Sequence, residues 1–124
     1  MGLLDTLGMR RTAKQIAGQA GEDAALVYLQ RQGLQLVERN FRCKGGEIDL
    51  IVRDRDTLVF VEVRKRADAR FGGAAASVTS HKQRRLIRAA HFFLQRFRNP
   101  PSCRFDIVAF EGERIDWLKN AIEA

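Results

Sequence analysis

The sequence predicts an α/β protein with elements in the order α-β-β-β-α-β-β, and three observations carry that prediction. Two stretches, 12–32 and 81–98, repeat apolar residues at the three- and four-residue spacing of a helix with a buried face. Five short runs rich in Val, Ile, Leu and Phe have the length and composition of strands. Glycine, proline and polar clusters fall between these segments, where turns belong. The order describes a three-stranded meander with a helix crossing over to two later strands.

Residues 1–11 lack periodicity and read as a loose N-terminal arm, so the folded domain is expected to span 12–124. In the first helix Ala13, Ile16, Ala17, Ala20, Ala24 and Val27 form one buried stripe, and Glu22, Ala25, Leu26 and Leu29 form a second. A helix apolar over that much of its circumference is expected to pack against more than one element. Gly33 is placed to end it, because glycine adopts the left-handed conformation without a Cβ penalty.

A strand is expected over Leu34–Phe41, then a turn over 42–46. The segments 46–52 and 58–64 flank the polar turn Arg53-Asp54-Arg55-Asp56 and are expected to pair as a hairpin. The stretch 67–80, with Gly72-Gly73, reads as a loop, and Thr79 or Ser80 is a candidate cap for a helix over 81–98. The buried stripe of that helix would be Leu86, Ile87, Ala90, Phe93, Leu94 and Phe97, and Asn99-Pro100-Pro101 would end it. Strands over 104–110 and 114–118 close the chain around a Glu-Gly-Glu turn.

At 124 residues the chain can bury one core but not two. Its 45% hydrophobic content and eight Phe exclude a disordered chain. No apolar run approaches the roughly 20 residues needed to span a bilayer, so no membrane partner is expected. Basic Arg10, Arg11 and Lys14 follow the apolar Gly2-Leu3-Leu4, the reverse of a secretory signal. The two cysteines, Cys43 and Cys103, make neither a metal cluster nor a disulfide framework. Both features point to the cytoplasm. A net charge of +7 favours an anionic partner, with nucleic acid the usual one. The positive charge gathers in Arg64-Lys65-Arg66 and in Lys82, Arg84, Arg85 and Arg88, clusters with no acidic residue among them. A basic balance can also serve solubility alone, and a cationic helix run is by default a solvated face.

The hairpin carries the feature richest in chemistry. Strand residues at i and i+2 share a face, which puts Glu47 with Asp49 and Glu62 with Arg64. Carboxylates inside apolar strands are costly unless a cation, hydrogen bonds or a metal compensates them. Two or three of them on adjacent strands suit a hard divalent ion such as Mg²⁺, which takes oxygen ligands and keeps several waters. Glu22, at the head of an apolar stripe, could complete such a set. The plainer reading of Asp49 and Glu62 is a structural ion pair with Arg64 or another basic residue, Glu47 could be a turn residue, and Glu22 alone would read as a solvated helix position. Asp106 reads as a structural partner of Arg104, two residues away. His81 and His91 lack metal spacing, and Phe92, Phe93, Phe97 and Trp117 read as core.

The segments Gly21-Glu22-Asp23-Ala24-Ala25, Arg39-Asn40-Phe41-Arg42, Gly46-Glu47-Ile48-Asp49-Leu50-Ile51 and Phe60-Val61-Glu62-Val63-Arg64-Lys65-Arg66 resemble the YraN-like family of uncharacterised proteins. Phe105-Asp106-Ile107-Val108 and Trp117-Leu118-Lys119-Asn120-Ala121 extend the likeness. That family falls within the restriction-endonuclease-like PD-(D/E)xK nuclease superfamily. The resemblance implies a restriction-endonuclease-like core, a mixed central sheet flanked by helices. It also implies Glu22, Asp49 and Glu62 as carboxylates of a metal site, with Glu47 beside them and Mg²⁺ or Mn²⁺ as cofactor.

The chain departs from the superfamily pattern at Arg64, where that pattern has a lysine two residues after the second acid. A lysine can shed its proton to serve as a base, whereas arginine stays protonated. Arg64 is thus expected to hold phosphate or neutralise the carboxylates, and Lys82 is the candidate to stand in for the missing lysine. The function expected is DNA binding with metal-dependent phosphodiester hydrolysis, using Asp49, Glu62, Arg64 and Lys82 at the reacting centre. Arg64, Arg66, Lys82, Arg84, Arg85 and Arg88 would face nucleic acid. The alternatives are a non-catalytic nucleic-acid module that has lost its lysine, and a protein-interaction domain whose acidic patch is structural.

Overall fold

The computed structural model describes residues 13–65 and 78–123. The expected arm over 1–11, Arg66 and most of the glycine-rich loop lie outside the described residues. Helix α1 (Ala13–Arg31) is followed by strands β1 (Gln35–Cys43), β2 (Gly46–Asp54) and β3 (Thr57–Lys65). Helix α2 (Ser80–Leu94) then leads to β4 (Cys103–Glu111) and β5 (Arg114–Leu118), which reproduces the expected order. The strands form one five-stranded sheet in the order β1-β2-β3-β4-β5. Only β3 and β4 run parallel, as the helical crossover between them requires. The protein is therefore α/β with a mixed sheet, the arrangement expected of a nuclease-like core.

Alternation along β3 divides the core. Leu58 and Phe60 face α2 with Leu86, Ala89, Ala90 and Phe93, while Val59 and Val61 face α1 with Ala25, Leu26 and Leu29. Of the two stripes expected on α1, Ala25, Leu26 and Leu29 of the second are buried. Ala20, Ala24 and Val27 of the first are exposed, Val27 by 45%. One face of one sheet can cover only one stripe of a helix, and small side chains on the other side leave little apolar area in water.

The ends of the helices are set by local chemistry. Gly33, at φ 94°, ends α1 in a paired motif in which its N–H bonds Gln30 O and the Leu34 N–H bonds Leu29 O. Leu29 and Leu34 are then buried in one cluster. Thr79 is the N-cap of α2, its Oγ1 accepting from the Lys82 N–H at 3.2 Å. The helix stops at Leu94, short of the expected Arg98, because the N–H groups of Gln95, Arg96 and Phe97 bond three residues back. That tighter turn still packs Phe97 against the core.

Asp106 is the one fully buried carboxylate among the described residues, and it is structural as expected. It accepts from Arg104 Nε at 3.0 Å, Trp117 Nε1 at 3.0 Å and the Asn120 N–H at 2.8 Å. Every acceptor is occupied, which is what a charge in the interior requires. Trp117 is half-buried and Phe93 buried, as read from the sequence, but Phe92 is 54% exposed. Its position on the helix, one residue out of phase with the buried stripe, turns it to solvent.

Candidate active site

The hairpin is paired only in part. The β2–β3 ladder runs from Asp54–Thr57 to Leu50–Val61 and stops there. Beyond that point β2 continues against β1 as far as Cys43–Gly46, and β3 continues against β4 as far as Lys65–Phe110. The sheet therefore forks between β2 and β3. Asp49 sits at the fork, and its Oδ2 accepts from the Val63 N–H at 2.8 Å, in place of a backbone acceptor. Strict alternation fails here too: Ile48 packs on the α2 side and Leu50, two residues on, packs on the α1 side. Glu47 and Asp49 consequently do not share a plain strand face as the pattern suggested. Asp49 is half-buried and bonded to β3, while Glu47 is exposed, 3.9 Å from Arg42, with its charge still acting on Asp49.

Helix α2 closes the fork from one face. Gly46 permits the approach: a Cβ there would fall on the Arg85 carbonyl oxygen and lie 3.2 Å from Ala89 Cβ. This contact brings Lys82 Nζ to 3.9 Å from Glu62 Oε1. Glu47, Glu62, His81, Lys82 and Arg85 line an open cleft of about 230 Å³. Arg64, half-buried, is close enough for its charge to act on both Asp49 and Glu62.

Glu22 approaches from α1. Its Oε1 is buried without a hydrogen-bond donor, and Arg39 Nη2 stands 3.7 Å away while making a closer ion pair with Asp23 at 2.6 Å. Asn40, held at φ 51° just after Arg39, supplies a side-chain hydrogen bond.

The electrostatics of the three carboxylates agree in sign. Burial, and then the charge of Asp49, push Glu62 up to about 7, against the opposing pull of Lys82 and Arg64. Asp49 is raised by burial, more than the Val63 hydrogen bond lowers it. Glu22 is raised by burial and by Asp49. Crowded, desolvated carboxylates with raised affinity for protons are what a bound cation relieves.

The donor set fits Mg²⁺ or Mn²⁺ in one specific way. Among the described residues no three His, Cys, Asp or Glu side chains converge into a ready-made cage. An ion held by Asp49 and Glu62 would therefore fill its remaining positions with water, the usual habit of Mg²⁺. The charge of Glu47 acts on both Asp49 and Glu62, and that of Asp49 acts on Glu22.

Of the remaining basic candidates, Arg85 lines the cleft, and Arg84 and Arg88 are exposed on α2 away from its lining. Arg66 lies outside the described residues. His81, read from the sequence as an ordinary helix residue, lines the cleft as well. Its place four residues before Arg85, one helical turn away, was the only signal for it.

Residues 21–110 match the model of a family described as "Uncharacterised protein family UPF0102". A UPF0102 protein of Herminiimonas arsenicoxydans is 70% identical over 114 residues, covering 92% of each chain. One from Janthinobacterium sp. (strain Marseille) is 68% identical, covering 92% of this chain and 93% of its own. One from Methylibium petroleiphilum is 60% identical, covering 86% and 93%. The matched span holds both helices' packing faces and every carboxylate of the fork. The chain therefore belongs to the UPF0102, YraN-like, family.

Proposed function

We propose that this protein binds nucleic acid at the sheet fork and hydrolyses phosphodiester bonds there with a divalent metal ion. The observation that carries the reading is the pairing of half-buried Asp49 with buried Glu62, two carboxylates with raised proton affinity, beside a cleft bordered by Lys82 and Arg85. Asp49 and Glu62 would hold the ion. When bound, Mg²⁺ or Mn²⁺ supplies charge stabilisation for a phosphoryl oxygen and a more acidic water. Lys82 is placed to orient or deprotonate the attacking water, and Arg64 and Arg85 to hold the phosphate as permanent cations. The amino end of α2, three residues from Lys82, adds a favourable field for phosphate.

The basic balance of the chain supports the same partner, DNA in the first instance. With two free cysteines and, among the described residues, no helix long and apolar enough to cross a membrane, the site of action proposed is the cytoplasm. A non-catalytic nucleic-acid module is the second reading, favoured by one observation: Arg64 occupies the place where a base would be most useful.

The deciding experiment is cleavage of branched, flapped and single-stranded DNA in Mg²⁺ and in Mn²⁺, with Glu62→Ala as control. Metal-dependent products absent from the control support hydrolysis. Salt-sensitive binding without products would leave the non-catalytic module. No affinity for DNA or RNA even at low salt would overturn both and leave the acidic patch as a structural feature of a protein-interaction domain.

A further inference from the structure

Helix α2 carries a second pattern that the cleft does not use. Residues four apart stand above one another on a helix, so Arg88, Phe92 and then Arg96, just past its end, form one row. Arg85 leads into that row from the cleft. The row lies beside the β1–β2 turn: Arg88 Cδ is 3.5 Å from where a side chain at Gly45 would begin, and the Phe92 ring is 6.3 Å from that of Phe41. Lys44, in the same turn, is exposed. Glu38 and Glu47 are the carboxylates near this row, the first 3.3 Å from Arg96 Nη1 and the second 3.9 Å from Arg42. The balance along the row remains cationic.

Phe92 stands out in this setting because it is 54% exposed while Phe93, beside it, is buried. Ten residues separate it from Lys82, about 15 Å along the helix axis. A duplex presents phosphates to such a surface, and a phenyl ring gains nothing from them. An unpaired base, by contrast, offers a flat face that stacks on an aromatic ring while flanking phosphates meet the cations. We infer that this row is a track for single-stranded nucleic acid leaving the cleft, with a base stacked on Phe92 and phosphates on Arg88 and Lys44. The inference rests on the reading of the cleft as a nucleic-acid site and adds to it a strand state and a direction.

The test is fluorescence anisotropy of the full chain with a labelled dT strand, an rU strand and a hairpin duplex, each about twelve nucleotides long. Phe92→Leu is expected to weaken binding of the dT or rU strand roughly tenfold, leaving duplex binding and the salt dependence unchanged. Phe92→Trp should retain or tighten single-strand binding. Arg88→Ala should lower affinity and reduce the salt slope by about one, the signature of a lost phosphate contact. A 2-aminopurine base in the strand should be quenched by the wild type and not by Phe92→Leu. Equal affinity of wild type and Phe92→Leu for both single strands would overturn the track, as would an equal loss on the duplex. If the wild type binds none of the three probes at low salt, the proposed function falls with it. If it binds them and Phe92 is dispensable, only the track falls.

Discussion

Asp49 Oδ2 takes, at 2.8 Å, the Val63 N–H that a continuing β2–β3 ladder would have given to a backbone carbonyl. One side chain thereby ends the ladder, satisfies the exposed edge of β3 and places a carboxylate beside Glu62. The structural and chemical roles of Asp49 can be separated. Asp49→Asn keeps an acceptor oxygen for Val63, so the metal-free protein should stay within about 1 kcal/mol of wild-type stability. Its stabilisation by Mg²⁺, read as the rise in Tm on adding the ion, should disappear. An undiminished rise in Tm would show that Asp49 is not a ligand.

Glu62 makes stability depend on pH. Its ordinary value is 4.5 and burial beside Asp49 raises it to about 7 in the fold. A raised value means that the folded state holds the proton more tightly than the unfolded chain. The stabilising contribution is therefore complete below about 4.5 and lost as pH rises through about 7. Asp49 and Glu22 shift in the same direction and add to the trend. For a shift of this size the upper bound is about 3 kcal/mol. Without metal, Tm should fall as pH rises across that window, and Glu62→Gln should flatten the fall and be the more stable protein on its alkaline side. A wild-type Tm that climbs over the same window would contradict the assignment.

Lys82 reaches the site with a flexible side chain, 48% exposed, whose Nζ is 3.9 Å from Glu62. Its removal should spare the fold. In single-turnover cleavage with Mg²⁺, Lys82→Ala is expected to lose about 100-fold in rate, the lower range for a lost proton-transfer group. Lys82→Arg should restore phosphate binding but not the rate, because arginine keeps its proton. Cleavage by Lys82→Ala at the wild-type rate would remove Lys82 from the chemistry.

Gly46 couples packing to the site. A Cβ at this position meets backbone, the Arg85 carbonyl, which cannot turn aside as a side chain can. Gly46→Ala should cost about 1–3 kcal/mol in chemical denaturation as α2 is pushed outward. Because that helix carries Lys82 and Arg85, cleavage should fall further than the loss of folded protein accounts for. A variant of wild-type stability and rate would show that α2 does not need this close approach.

Periodicity alone determined the element order, the two helix faces that matter and the Arg104–Asp106 pair, because spacing along one chain decides which side chains share a face. It also singled out Asp49 and Glu62, since a carboxylate in an apolar run stands against its surroundings in any fold. It could not show that Ala20, Ala24 and Val27 of α1 would face solvent, because the surfaces offered to a helix are settled by the rest of the molecule. Nor could it show the tighter last turn of α2, where three-residue hydrogen bonds replace four-residue ones well before the prolines. Above all, period two runs unbroken through β2 on paper, whereas alternation breaks between Ile48 and Leu50, on either side of Asp49. The fork between β2 and β3 is a competition between two acceptors for the Val63 N–H, a backbone carbonyl and the Asp49 carboxylate. Its outcome depends on β2 continuing against β1 while β3 continues against β4, long-range pairings that spacing along the chain does not encode.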